Sequence, residues 1–291
     1  MMAVAPPYRL DRTLSCGQCF RWSMVPASDR VAAREPVRAR GVVDGTVAVV
    51  TQHADGLSVD WQGPEGSVPR LMRHLGADEP LAEIETVLGE DAVLDRLLPR
   101  TSGIAVMRQD PWECLVSYVI SAFNNIPKIV QTIDRLSRRF GDRIAADAWA
   151  FPGPEQLAGA RLGALHACIL GYRAPYVRDV ARLVTRGGLD LDAVARLTYD
   201  DARKTLLSLP GVGEKVAECV LLFGLGHREA FPVDVWVNRA VERWYSKGRP
   251  RAPRAIRAWA RDRFGPLAGY AQQHLFAGAR MLARKGNGRP Q

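Results

Sequence analysis

Two charged residues frame the chemistry this sequence could perform. Lys215 follows a glycine-rich turn, Leu209-Pro210-Gly211-Val212-Gly213, and Asp234 lies 19 residues further on, within Phe231-Pro232-Val233-Asp234-Val235. Lys215 falls in the first turn of a helix, where the positive end of the helix dipole disfavours an ammonium. Partial desolvation there favours the neutral amine, which is the nucleophilic form. Asp234 reads as the N-cap of a helix over Val235–Tyr245. A helix N-terminus is expected to keep that carboxylate ionised, which suits a group that stabilises positive charge on a sugar. Taken singly, Lys215 reads as a surface lysine and Asp234 as a structural cap. Together, at this spacing from such a turn, they read as a nucleophile and its electrostatic partner.

The turn itself is the next observation. Gly211 and Gly213 permit positive φ and let a phosphate approach the main chain with no Cβ in the way. Backbone N–H groups of Gly211, Val212 and Gly213, feeding a helix N-terminus, form an anion site. Helical pattern on both sides makes residues 199–225 a helix-hairpin-helix, a unit that positions DNA without reading its sequence.

The elements that must hold these residues fall into two parts. Residues 1–108 read as an antiparallel α+β domain. Asp44-Gly45 between β-branched runs is a hairpin signal, Leu57-Ser58-Val59-Asp60-Trp61 alternates as a half-buried strand, and short helices are predicted over 69–76 and 81–98. Residues 109–291 read as helical, containing the hairpin and a catalytic aspartate loop over 230–236. Asp110-Pro111-Trp112-Glu113 predicts a helix start with Asp110 as N-cap and Glu113 closing a capping box. Trp112, Leu115, Val116, Val119, Ile120 and Phe123 would line one face. Asn124-Asn125 breaks that helix. The next carries Ile129, Val130, Ile133, Leu136 and Phe140 up to Gly141. Further helices are expected over 154–170, 175–185, 191–195, 199–208, 214–225, 235–245, 253–264 and 267–282.

Composition excludes several classes. The chain has 291 residues, 47% hydrophobic and 24% charged, a globular balance, with a formal net charge of +9 that suits a polyanionic partner. Nine arginines between 249 and 289 carry much of that excess and read mainly as a solvated face. No apolar run reaches membrane-spanning length, and the N-terminus lacks the pattern of a secretion signal. Five cysteines without such a signal predict free thiols in a reducing compartment, hence a cytoplasmic protein, bacterial and nucleoid-associated when acting.

These residues resemble the 8-oxoguanine DNA glycosylase/AP lyases of the helix-hairpin-helix superfamily, of the eukaryotic type with bacterial members. Beyond the hairpin and Pro232-Val233-Asp234-Val235, the resemblance rests on several motifs in family order. These are Leu10-Asp11-Arg12-Thr13-Leu14, Cys16-Gly17-Gln18-Cys19-Phe20-Arg21-Trp22, Met107-Arg108-Gln109-Asp110-Pro111, Glu113-Cys114-Leu115, Asn124-Asn125-Ile126, Gly171-Tyr172-Arg173 and Gly269-Tyr270-Ala271-Gln272. The resemblance implies a bifunctional enzyme that flips 8-oxoguanine out of duplex DNA. Lys215 would attack C1′ and form a Schiff base that allows β-elimination, with Asp234 stabilising the oxocarbenium-like state. It further implies that the Gly17 carbonyl accepts the N7–H peculiar to the lesion, that Cys219 and Phe276 sandwich the flipped base, and that Gln272 reads its edge. Tyr172 would be a wedge and Arg173 a donor at the estranged cytosine, with Asn124 and Asn125 beside them.

Three positions depart from the family. Phe123 replaces a gap-filling asparagine and Lys128 an arginine that reads the opposite base, which predicts a weakened preference for cytosine. Trp236 replaces a phosphate-contacting histidine, and its indole N–H could serve the same phosphate. Cys16-Gly17-Gln18-Cys19 has no second half for a metal site, no clustered cysteines for an iron–sulfur centre follow Asp234, and His274 reads as a packed histidine. No cofactor or catalytic metal is expected, although hairpin carbonyls could hold a structural monovalent or divalent cation. A monomer is expected. Two other readings stay open: a glycosylase of this class for another damaged purine, and a non-catalytic DNA-binding module built on the same hairpin.

Overall fold

The structure is a computed structural model that describes residues 2–26, 36–61 and 67–286. Strands β1 (Met2–Ala3), β2 (Trp22–Met24), β3 (Val37–Val43), β4 (Thr46–Gln52) and β5 (Gly56–Trp61) form one antiparallel sheet in the order β1-β5-β4-β3-β2, with α1 (Leu10–Ser15) preceding β2. Asp44 and Gly45, at φ 49° and 69°, make the two-residue turn that registers Val43 against Thr46. Positive φ at both positions matches the strand twist, and an Asp-Gly pair supplies it. Helices α2 (Ser67–His74), α3 (Leu81–Leu88) and α4 (Ala92–Thr101) complete this part. The helical part runs α5 (Pro111–Ser121), α6 (Ile126–Phe140), a small ribbon of β6 (Arg143–Ala145) and β7 (Ala148–Trp149), then α7 (Pro154–Ala158), α8 (Leu162–Ala167) and α9 (Ala174–Thr185). It continues with α10 (Leu191–Ala195), α11 (Tyr199–Leu207), α12 (Glu214–Phe223), α13 (Val235–Tyr245), α14 (Pro253–Phe264) and α15 (Ala268–Gly286). The architecture is the expected α+β arrangement, an antiparallel sheet with helices followed by a helical assembly. No helix among the described residues is long and apolar enough to cross a membrane.

Several local expectations change for identifiable reasons. The stretch 81–98 is two helices, because Asp91 caps a new one by accepting from the Val93 and Leu94 N–H groups. The stretch 154–170 likewise divides, around Gly159. Asp110 caps α5 as expected, accepting from Glu113 N–H at 2.8 Å, but the Glu113 carboxylate pairs with Arg21 at 3.0 Å instead of closing a box. Every residue from Cys114 to Ser121 is buried, so α5 has no single apolar face; it is a central helix packed on all sides. Phe123 is not part of that helix: it lies beyond Ser121, fully exposed, at φ 49°. On α6 Val130 is exposed, while Thr132 and Ser137 are buried. The arginine-rich C-terminal stretch is not a uniformly solvated face either. Arg257 is buried against Glu214 and Glu218, and Arg263 pairs with Asp91. Arg289 lies outside the described residues.

His274, on α15, is fully buried. The Thr101 hydroxyl donates its one proton to the Leu97 carbonyl at 3.0 Å, so His274 Nδ1–H donates to Thr101 at 2.8 Å. Nε2 then carries a buried lone pair with no hydrogen-bond partner. Burial pushes the imidazole down to about 4. The unfolded chain takes up this proton near its ordinary 6.5 while the folded one does not, so stability is complete above that pH and declines toward 4. The decline is about 3 kcal/mol for this one residue. Urea unfolding from pH 7 to 4 should show that loss, and His274→Gln should flatten it; an unchanged slope would refute the assignment.

Candidate active site

A cleft of about 330 Å³ opens where α5, α12, α13, α15 and the 16–19 loop meet. Lys215 and Asp234 both line it, together with Gly17, Cys219, Gln272, Phe276, Asn124, Asn125 and Trp236. Each of these is carried by a different constraint.

Lys215 is the second residue of α12, after the N-cap Gly213. Its Nζ donates to Ser121 Oγ at 3.0 Å and lies 4.8 Å from the centre of the Tyr118 ring. One turn along the same face, Cys219 is buried and its thiol is pushed up to about 12 by desolvation, against the nearby Lys215 charge. It is therefore a neutral, polarisable wall of the cleft. Asp234 caps α13, accepting from Val237 N–H at 2.8 Å. Burial pushes its carboxyl up from the usual carboxylate range, outweighing the helix N-terminal N–H groups and the charge of Lys215 that pull it down. The helix end and Lys215 do favour the ionised form, as expected from the cap, but desolvation is the larger effect on its proton affinity.

Gly17 adopts φ 82°, and a Cβ there would come within 3.1 Å of Ile126 Cδ1 and 3.4 Å of Phe276 Cε1. A side chain would be strained and would narrow the cleft. The loop around it is clamped by Gln18. That buried amide donates to the Thr13 and Ala105 carbonyls at 3.0 and 2.8 Å and accepts from Met107 N–H at 2.9 Å. Gln272 donates to the Pro232 carbonyl at 3.2 Å and accepts from Gln273 at 2.6 Å, tying α15 to the segment before Asp234. Phe276 is nearly buried, with the Arg280 guanidinium 5.3 Å from its ring centre.

Glu218 couples the two charged residues through the backbone. It is fully buried on α12, accepting from Tyr199 Oη at 2.6 Å, Arg203 Nε at 2.9 Å and the Phe231 N–H at 2.9 Å. The helix that carries Lys215 is thereby fastened to the loop that carries Asp234. Sequence reasoning missed Ser121, Tyr118, Gln18 and Glu218. Glu218 had a signal, a carboxylate inside the apolar run Val216-Ala217-Glu218-Cys219-Val220-Leu221.

The hairpin turn, Phe123, Lys128, Tyr172 and Arg173 are not part of the cleft lining, whereas Asn124, Asn125 and Trp236 belong to it. In the hairpin turn Gly211 takes φ 78° and approaches Tyr176 so closely that a Cβ would lie 2.7 Å from it. Gly213 is extended at φ −94°, so its freedom is not used for a left-handed turn; as N-cap it leaves the first-turn N–H groups of α12 without a side-chain cap. Val212 is buried. Phe123, Tyr172 and Arg173 form a projecting group. Arg173 Nε donates to the Ala122 carbonyl at 2.9 Å, its Nη2 to the Phe123 carbonyl at 3.3 Å, and its guanidinium covers the Tyr172 ring at 4.3 Å. Those bonds hold the left-handed Phe123, a conformation that costs a bulky residue energy. Asn124 and Asn125 perform caps, to the Ile120 carbonyl and from the Lys128 N–H. Lys128 is exposed on α6, and Trp236 lines the cleft with Arg239 5.7 Å from its ring.

A hairpin feeding one helix, an aspartate capping the next, and a cleft between them define a base-excision type of site. The chain belongs to the HhH-GPD superfamily of base excision DNA repair proteins, whose pattern residues 116–265 match. Residues 4–115 match the 8-oxoguanine DNA glycosylase N-terminal domain. A probable N-glycosylase/DNA lyase of Methanothermobacter thermautotrophicus is 34% identical over 66% of this chain and 68% of that protein. The N-glycosylase/DNA lyase of Saccharomyces cerevisiae is 33% identical over 81% and 68%. Among solved structures, an 8-oxoguanine glycosylase/lyase of Clostridium acetobutylicum, in complex with double-stranded DNA bearing cytosine opposite 8-oxoguanine, superposes with a TM-score of 0.86. Its identity is 30%, covering 96% of this chain and 93% of that one.

Proposed function

We propose that this protein is a bifunctional DNA glycosylase/AP lyase of base-excision repair that removes 8-oxoguanine from duplex DNA. The observation that carries the reading is the convergence of Lys215, Asp234 and the side-chain-free Gly17 on one cleft beneath the hairpin. The lesion must leave the stack to reach that cleft. Lys215 Nζ then bonds to C1′ as the C1′–N9 bond breaks, and the base leaves with its electron pair and takes up a proton. Opening of the sugar ring, by cleavage of its C1′–O bond, gives the Schiff base. Loss of a C2′ proton and cleavage of the C3′–O bond nick the strand. Asp234 faces the positive charge that develops on the sugar. The chemistry needs no cofactor, because the amine itself is the electrophile trap.

Borohydride treatment of the enzyme on an 8-oxoguanine duplex should leave a covalent protein–DNA adduct, and Lys215→Ala should give neither adduct nor nick. An adduct that persists in Lys215→Ala, or its absence in the unsubstituted protein, would sink the mechanism.

The projecting group suggests a loose reading of the opposite base. Phe123 can fill and stack but offers no hydrogen bond, and the Arg173 donors are engaged with loop carbonyls. Each lost base contact removes about 1–3 kcal/mol of discrimination. Excision rates opposite cytosine, adenine, guanine and thymine should therefore be similar. A steep fall away from cytosine would refute this.

A further inference from the structure

We propose that Ser121 is the positioning residue that aims the Lys215 amine, an inference that rests on the reading of Lys215 as nucleophile. Ser121 Oγ lies 2.7 Å from the Tyr118 carbonyl and 3.0 Å from Lys215 Nζ. A hydroxyl has a single proton, and a carbonyl can only accept, so that proton goes to Tyr118. The Oγ lone pairs are left to receive an N–H of Lys215. The polarity of this contact is therefore fixed by the helix turn beneath it.

A second contact fixes the amine from another direction. Nζ lies 4.8 Å from the Tyr118 ring centre, and that ring cannot swing away. Its hydroxyl donates to the Gln18 carbonyl at 3.0 Å, Phe223 stacks on it at 5.7 Å, and Phe20 meets it edge-on at 5.6 Å. Ser121 and the ring face thus hold the amine from two directions, with the Cys219 thiol beside it on its own helix.

The cost this arrangement removes is conformational. A free lysine samples many rotamers, and a displacement near 1 Å at a reacting atom can cost about a hundredfold in rate. Ser121 is almost fully buried on the central helix α5, so its hydroxyl is held as rigidly as the core. The seat belongs to the 118–121 turn of α5, whereas the nucleophile belongs to α12. Correct packing of those two helices is what aims the amine.

The test is single-turnover borohydride trapping on a preformed abasic-site duplex, with equilibrium binding measured on a duplex carrying a non-cleavable tetrahydrofuran site. Ser121→Ala should slow trapping by about tenfold to a hundredfold while binding stays within about twofold. Ser121→Thr should recover most of the rate, because a threonine hydroxyl makes the same bond to the carbonyl one turn back. Should Ser121→Ala not fold, Ser121→Cys replaces it: the thiol is similar in size and a poor acceptor, so slow trapping is again expected. A wild-type trapping rate in Ser121→Ala or Ser121→Cys overturns the inference. So does a loss of binding equal to the loss of rate, which would mean a packing role. These outcomes leave Lys215 as nucleophile intact. Failure of the unsubstituted protein to trap at all would instead remove that underlying reading, and this inference with it.

Discussion

Asp234→Asn should reduce single-turnover base excision by about 10²–10³-fold while leaving the unfolding free energy nearly unchanged. The separation of the two effects follows from the position. Asn and Asp are equivalent N-caps, so the amide oxygen can still accept from Val237 N–H, the bond that Asp234 makes at 2.8 Å. What disappears is the negative charge facing the sugar, and loss of one preorganised electrostatic partner typically costs that much in rate. The pH profile gives an independent check. Burial raises the proton affinity of this carboxyl, so its ionised fraction declines at a higher pH than for a solvated aspartate. On acidification the excision rate should therefore fall from that higher pH, and Asp234→Asn should abolish this limb. An Asn variant within tenfold of the original rate, with the limb intact, would show that Asp234 is a cap and nothing more.

Glu218→Ala should be the most destabilising single change near the site, by about 3–5 kcal/mol in urea unfolding. The carboxylate is fully buried, and its removal leaves Tyr199 Oη, Arg203 Nε and the Phe231 N–H without their acceptor. Arg257, itself buried, loses one of its two carboxylate neighbours. Glu214 remains to both arginines, which keeps the expected loss toward the lower end of that range. Glu218→Gln retains an acceptor for Phe231 N–H and should recover part of the stability. Because Phe231 leads directly into the Asp234 loop, the Ala variant should also lose excision activity beyond its unfolded fraction. A loss below about 1 kcal/mol would mean that the loop is held by its apolar packing alone.

Much of the fold was legible because short-range chemistry fixes it. Asp44-Gly45 demands a tight hairpin, Asp110-Pro111 demands a helix start, and the structure has both. The boundaries of the helices Val235–Tyr245 and Pro253–Phe264 were readable for the same reason, each opening on its own cap or proline. Pattern failed where two elements share one apolar run. The stretch 81–98 carried enough apolar residues for one helix, and only the local competition of the Asp91 cap divided it. It failed again at Phe123, which fits the apolar pattern of α5 by spacing. The helix stops at Ser121, and the ring is left fully exposed.

Residue type and local pattern were enough to mark the groups that could react: a lysine after a glycine-rich turn and a capping aspartate. Those are properties of residue type and local backbone, and they survive translation into three dimensions. The tertiary structure alone decided their state. Desolvation by distant segments raises Asp234 against its own helix end, Ser121 and Tyr118 from α5 seat an amine that belongs to α12, and Glu218 fastens α12 to the aspartate loop. Each of these effects depends on distances between residues far apart in the chain. Electrostatic and hydrogen-bond energies depend on distance and burial, which sequence spacing does not encode. The Lys215–Asp234 pair was therefore readable as chemistry, and became a site only through the packing of α5, α12 and α13.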